Sequence, residues 1–189
     1  MTRSTLALIG VLVLLAGGLV GCQQPNMEEM MKAPARPAEL DQLNTFVGTW
    51  EGTWEMTMKG CDKPMSGKGV DTFAWDADKW VMTEHSSGMM GDNKMVGTGI
   101  WVWDGHEKLF RYISADNYGM LMKGTMCYDA KTETWHMKGK TCETIHGHES
   151  VGEGTLKMVD ANTMEWQMSE WDALHLCKIM EMKGTSHRK

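Results

Sequence analysis

The chain has 189 residues, with 25 Asp and Glu against 19 Lys and Arg, and its formal net charge is −6. An acidic surface repels phosphate backbones, so the charge balance argues against nucleic-acid binding. Once an N-terminal leader and a linker are set aside, the length suits one domain with a single core.

The first 21 residues have the layout of a secretory signal peptide. Arg3 precedes an apolar run from Leu6 to Val20, which is too short for a comfortable bilayer span and ends in small residues. The ending Leu19-Val20-Gly21-Cys22 resembles the lipobox of bacterial lipoproteins, in which the cysteine is acylated before cleavage. The resemblance implies a signal peptide over residues 1–21 and a mature protein lipidated at Cys22. A membrane helix that ends in Gly-Cys is the alternative.

The residues after the cysteine indicate where in the cell the mature protein is located. Gln23 stands where an Asp would favour inner-membrane retention in enteric bacteria. We therefore expect a lipid-anchored protein of the cell envelope, on the outer membrane and facing the periplasm. Residues 22–36 contain Pro25, Pro34 and charges and are predicted to form a flexible lipidated tether. One monomeric domain over residues 37–189 is expected to follow.

The domain begins with a short helical pattern and continues with the alternation of a β protein. Leu40, Leu43 and Phe46 recur at helical spacing and predict one or two turns of helix. After Val47 the period becomes two, and turns that contain Asp separate the apolar runs. The predicted hairpin tips are Asp76-Ala77-Asp78, Asp104-Gly105, Asp129-Ala130-Lys131 and Asp160-Ala161-Asn162. Asp104-Gly105 gives the strongest signal, because glycine tolerates the positive φ of a tight hairpin.

About ten strands are predicted, at 47–58, 66–75, 79–87, 93–103, 107–115, 118–128, 133–144, 147–158, 163–171 and 173–185. A weak repeat of a glycine, an Asp turn and an aromatic residue starts at Gly69, Gly99, Gly124 and Gly154. Equal hairpins laid end to end form an up-and-down antiparallel meander, and a meander of this many strands would close to pair its edges. The predicted fold is therefore all-β, a closed barrel with a short N-terminal helix. A sandwich is the alternative.

Three segments carry a family resemblance. The opening Phe46-Val47-Gly48-Thr49-Trp50-Glu51-Gly52 resembles the Gly-x-Trp opening of the calycins, the superfamily of lipocalins, fatty-acid-binding proteins and nitrobindins. With the run Gly97-Thr98-Gly99-Ile100-Trp101-Val102-Trp103-Asp104 and the tail Lys178-Ile179-Met180-Glu181-Met182, closed by Arg188, the chain is similar to the DUF1579 family of calycin-like proteins. The resemblance implies a calycin-like barrel and no established activity.

The resemblance also implies a contact at the closed end of the barrel. In calycins the motif tryptophan packs there, often under an arginine of the last strand. Trp50 and Arg188 would be that pair here, with the guanidinium over the ring face. A first-strand tryptophan and a solvated terminal arginine are the alternative.

Tryptophan and methionine are unusually frequent, with nine and 20 residues, and they fall on alternating strand positions. If Trp50 points inward, so do the residues two and four positions further along its strand. The predicted lining of the barrel is Trp54, Met56, Met58, Trp75, Trp101, Trp103, Met122, Trp166 and Met168. Methionine adapts to irregular space, so we predict a pocket that binds or carries a small apolar ligand. The alternative of similar weight is a packed barrel that serves as a structural or partner-binding module.

Metal and catalytic chemistry are weaker hypotheses. Haem would use His175 at the start of the last predicted strand. The residues that copper would use are His85, Met89 and Met90, or His136 and Met137. No serine lies in a Gly-x-Ser-x-Gly context, no glycine-rich phosphate loop follows a strand, and the acidic residues cluster in turns. We therefore predict no enzymatic activity, no cofactor and no metal.

Four cysteines lie in the domain, Cys61, Cys127, Cys142 and Cys177. An oxidising envelope permits disulfides among them. In a meander that starts at Trp50, all except Cys127 come near the open end. Because the first and last strands are neighbours in a closed barrel, we predict a disulfide between Cys61 and Cys177. Buried thiols are the alternative.

Overall fold

The computed structural model describes residues 31–189, and residues 36–189 form a compact unit within them. The predicted signal peptide and Cys22 lie outside the described residues. Within the described part of the chain, no helix combines the length and the apolar character that a membrane crossing requires.

Ten antiparallel strands and two short 3₁₀ helices make up the unit. The strands are β1 (Gly48–Met58), β2 (Met65–Asp76), β3 (Val81–Met90), β4 (Asn93–Asp104), β5 (Leu109–Asp116), β6 (Met120–Asp129), β7 (Thr134–Glu143), β8 (His148–Asp160), β9 (Thr163–Asp172) and β10 (Lys178–Arg188). The helices are Ala38–Thr45 and Ala77–Lys79. Each strand pairs with its neighbours in the chain, and β1 pairs with β10, so the sheet is a closed barrel. The predicted all-β meander of about ten strands with a short N-terminal helix is confirmed.

Two local predictions were wrong. The last strand begins at Lys178 and not at residue 173, because His175 adopts a φ of 58° within the preceding turn. The turn after Asp104 is longer than a tight two-residue hairpin, and its positive φ of 58° falls on Lys108 and not on Gly105. The Asp104 carboxylate accepts hydrogen bonds from two backbone N–H groups of this turn, which stabilises the wider connection.

The N-terminal 3₁₀ helix Ala38–Thr45 plugs one end of the barrel. The side chains of Leu40, Leu43 and Phe46 are fully buried and belong to the main apolar cluster. The Phe46 ring centroid lies 5.4 Å from that of Trp101 and 5.3 Å from that of Trp135. Burial of these apolar side chains fixes the helix against the strands. We call this the closed end.

Glycines stand opposite two interior tryptophans and leave room for their rings. A Cβ atom at Gly67 would lie 2.2 Å from the Trp54 ring, and one at Gly184 would lie 2.5 Å from the Trp166 ring. Non-bonded carbon atoms do not approach closer than about 3.5 Å without repulsion. Glycine at these positions therefore lets each tryptophan lie flat against the facing strand.

Candidate functional site

An interior cavity of about 250 Å³ lies inside the barrel, beyond the aromatic core of the closed end. Its apolar and aromatic lining consists of Phe73, Trp101, Tyr112, Met122, Met137, Leu156, Met164, Trp166 and Met168. Larger depressions on the outer surface are lined by exposed charged side chains such as Glu55 and Lys183 and are shallow grooves over the strands. The interior cavity is therefore the candidate site.

Four of the predicted lining residues border this cavity, namely Trp101, Met122, Trp166 and Met168. Trp54 and Met56 are buried inside the barrel but do not border the cavity. Met58 is 40% exposed, because β1 ends there.

Trp75 and Trp103 pack toward the closed end instead. The Trp75 indole Nε1 donates a hydrogen bond to Asn44 Oδ1 at 2.8 Å, beside the N-terminal helix. The Trp103 ring packs edge-on against Phe110, with centroids 4.9 Å apart. The structure thus separates the predicted lining into a part that surrounds the cavity and a part that seals it.

Three acidic residues point into the cavity, and the sequence reasoning missed them. They are Asp71 on β2, Glu84 on β3 and Glu170 on β9. The expectation that acidic residues cluster in turns is wrong for these three. Each lies two residues from an apolar residue that faces the same cavity or the core, and period-two alternation should have placed it inside.

Glu84 and Asp71 are carboxyl groups in a poorly solvated place. The Trp101 indole Nε1 donates a hydrogen bond to Glu84 Oε2 at 2.9 Å. Burial raises the pKa of Glu84 to about 7, and the nearby charge of Asp71 adds to this rise. Burial alone raises the pKa of Asp71 to about 6. Both groups are therefore costly to ionise in the cavity.

Glu170 is held by hydroxyl groups. Its side chain is buried, and its Oε1 accepts hydrogen bonds from Thr141 Oγ1 at 2.8 Å and Ser150 Oγ at 3.3 Å. These bonds fix the carboxylate on the cavity side of β9. Opposite it, burial and the charges of Glu84 and Glu170 raise the pKa of Tyr112 to about 12, so its hydroxyl stays protonated at neutral pH.

The contact between Trp50 and Arg188 lies at the closed end, away from the cavity. The two residues are direct partners in the β1–β10 register, and the guanidinium carbon is 4.3 Å from the indole centroid. Arg188 also donates to the backbone carbonyls of Val47, Thr45 and Ala161. One side chain thus ties the last strand to the segment that leads into the first.

The four cysteines of the described residues are free thiols, so the predicted bridge between Cys61 and Cys177 is absent. Both residues lie at the open-end connections next to β1 and β10, as predicted. However, the Cys177 sulfur accepts a hydrogen bond from Lys59 Nζ at 2.7 Å, and Cys61 is exposed in its turn.

The histidines considered for metal binding lie outside the cavity. His85 and His136 are exposed on the outer face of the strands. His175 is exposed, and its ring packs against Trp171 with centroids 4.5 Å apart. Across residues 31–189, no group of three or more His, Cys, Asp or Glu residues is arranged to hold a metal ion.

Comparisons with known proteins report on the fold. No family model matches the chain, and no curated protein matches its sequence. Rv2717c from M. tuberculosis is 11% identical with a TM-score of 0.64, and the alignment covers 81% of this chain and 98% of that chain. The S-type phycobiliprotein lyase CPES from Guillardia theta is 10% identical with a TM-score of 0.57, and the alignment covers 87% and 98%. At these identities the likeness establishes architecture alone: the chain folds as a calycin-like barrel of ten strands.

Proposed function

We propose that this protein binds or carries a small ligand inside its barrel. The observation that carries the proposal is the cavity of about 250 Å³ among aromatic and methionine side chains. Cavities lined by apolar side chains with a few polar groups are the usual form of small-molecule sites. Gly139, Gly152 and Gly154 border this space, which larger residues at those positions would fill. The likeness in fold to a phycobiliprotein lyase is consistent with a small-molecule ligand.

A cavity-filling variant tests the proposal. Ser114 on β5 borders the cavity, whereas its neighbour Ala115 is exposed on the outer face. A neutral aromatic probe, 1-naphthylmethanol, should change the emission of Trp101 and Trp166 when it binds. We expect Ser114→Phe to weaken probe binding by about 10-fold or more, because the new ring occupies the space. The matched control Ala115→Phe should leave the affinity unchanged.

Two outcomes would count against the binding function. If the wild-type protein takes up no probe, or if both variants bind it equally well, the packed-barrel alternative becomes the better interpretation. Native mass spectrometry of protein purified from its own cells gives an independent measurement. A carrier should retain an additional organic mass, and this mass should be absent from Ser114→Phe.

We further propose that the domain is a DUF1579-like, non-enzymatic lipoprotein of the cell envelope. The lipobox-like ending at Cys22 supports the anchor, and the opening motif around Trp50 supports the family. Cells that express Cys22→Ser should fail to incorporate radiolabelled palmitate into the protein, and the protein should leave the membrane fraction. The control Cys61→Ser should still be labelled. Equal labelling of both variants would exclude Cys22 as the lipidation site.

A further inference from the structure

Among the described residues, the cavity is bordered by acidic side chains and by no basic one. The titratable residues that border it are Asp71, Glu84, Tyr112, Glu153 and Glu170. Glu153 lies between inward-facing glycines on β8 and is exposed, so its side chain points outward. Among the described residues, no lysine, arginine or histidine borders the cavity. Three carboxyl groups from three strands therefore face a space that contains no protein cation.

This arrangement does not suit a neutral apolar ligand. A purely apolar guest would share the cavity with carboxyl groups that it cannot bond, and burying such groups without partners costs free energy. Asp71 has no hydrogen bond from the described residues that opposes the effect of burial, and Glu84 has only the bond from Trp101. Both groups therefore have acceptor capacity left for a ligand.

A metal ion does not suit the arrangement either. A metal site needs several ligands that converge within about 2.0–2.6 Å of one point. Across residues 31–189 no three acidic, histidine or cysteine side chains converge in this way. Asp71 and Glu84 lie on the adjacent strands β2 and β3, whereas Glu170 lies on β9. A neighbouring pair of carboxyl groups beside aromatic and methionine side chains matches a ligand that joins one charged group to an apolar body.

We propose that the ligand is an organic cation, a protonated amine with an aromatic or aliphatic body, whose ammonium group is held by Glu84 and Asp71. The rings of Trp101, Trp166 and Tyr112 would contact the apolar body and the face of the cation. Hydrogen bonds between a charged donor and a carboxylate are the strong ones in a poorly solvated site. The proposal rests on the ligand-binding function above and names the chemical class of the ligand.

The proposal requires a particular dependence on pH. The amine binds best when the carboxyl groups are ionised, and burial raises the pKa values of Asp71 and Glu84 to about 6 and about 7. Affinity should therefore increase as the pH rises from 5 to 8, and the complex should release protons as it forms. Tyr112, with its pKa raised to about 12, stays neutral over this range.

The test uses three probes of one shape and different charge. They are 1-naphthylmethylamine, neutral 1-naphthylmethanol and anionic 1-naphthoate, titrated into the purified protein at pH 5 and pH 8. We expect the amine to bind about 10-fold or more tightly than the alcohol at pH 8, with the anion weakest. The preference for the amine should shrink at pH 5. It should be lost in Glu84→Gln combined with Asp71→Asn, and kept in the outer-face control Glu165→Gln.

The possible results distinguish a failure of the cation proposal from a failure of the ligand-binding function. If the alcohol and the amine bind equally and Ser114→Phe abolishes both, the cavity binds ligands and the cation proposal is overturned. If none of the three probes binds, the cation proposal and the ligand-binding function both fail. A preference for the amine that survives the double variant would also contradict the roles given to Glu84 and Asp71.

Discussion

At the scale of single residues, Glu84 is a carboxyl group that keeps its proton close to neutral pH. Its pKa is raised from 4.5 to about 7 in the folded protein, chiefly by burial. Between these values the folded protein holds a proton that the unfolded chain has released. Stability therefore falls as the pH rises through this interval, and Asp71 contributes in the same direction up to about pH 6. The titration of these two groups should make the barrel more stable on the acidic side of neutrality.

Replacing Glu84 by an uncharged residue should remove most of the dependence of stability on pH. In Glu84→Gln the amide oxygen can still accept the hydrogen bond from Trp101, but no charge develops. We expect the variant to be more stable than wild type by about 1–2 kcal/mol at pH 8 and close to it at pH 5. Urea unfolding followed by tryptophan fluorescence at both pH values measures this. A variant that is less stable than wild type at pH 8 would contradict the assignment, and Glu165→Gln on the outer face is the control.

At the scale of strands, paired glycines make room for an aromatic side chain. Gly124 on β6 and Gly139 on β7 are direct partners, and the Tyr112 hydroxyl lies close above both. A Cβ atom would lie 2.1 Å from the Lys138 carbonyl oxygen if added at Gly124, and 2.6 Å from the Tyr112 oxygen if added at Gly139. Two adjacent strands therefore need glycine at the same height for one aromatic side chain to cross them.

The glycine pairing leads to a stability prediction. Gly124→Ala should destabilise the barrel by about 3 kcal/mol, because backbone atoms of β7 would have to move. Gly105→Ala is a matched control, since its added Cβ would meet nothing closer than 3.7 Å in the turn after β4. That control should be neutral or stabilising by about 0.5 kcal/mol. Thermal unfolding of the two variants side by side decides the matter, and equal melting temperatures would refute the packing argument.

At the scale of the whole molecule, the architecture could be predicted because its signals are local. Alternation marks each strand, and an Asp at each of four tips marks a turn through bonds to nearby backbone N–H groups. Closure follows from the need to pair the edges of a long meander. The length of the turn at Gly105 was harder to predict, because it depends on which backbone N–H groups donate hydrogen bonds to the Asp104 carboxylate.

The site was only partly predictable. Alternation identified which aromatic and methionine residues face inward, but not their height along the barrel axis. Trp103 and Trp101 lie on the same face of β4, yet Trp103 packs toward the closed end while Trp101 borders the cavity. That difference depends on the register of all ten strands and on the helix that plugs the barrel. Asp71, Glu84 and Glu170 were not predicted to face the cavity. A charged residue is expected to face solvent, even where the alternation along its strand places it inside.

The pairing of β1 with β10 has a consequence for folding. Strand β1 gains its second neighbour only when Lys178–Arg188, from the far end of the domain, joins the sheet. Until then Gly48–Met58 exposes one row of backbone groups, and contacts between distant parts of a chain form slowly. A partly folded chain therefore has an open edge with which other chains could pair. Closure of the barrel by β10 removes that edge and with it a route to aggregation.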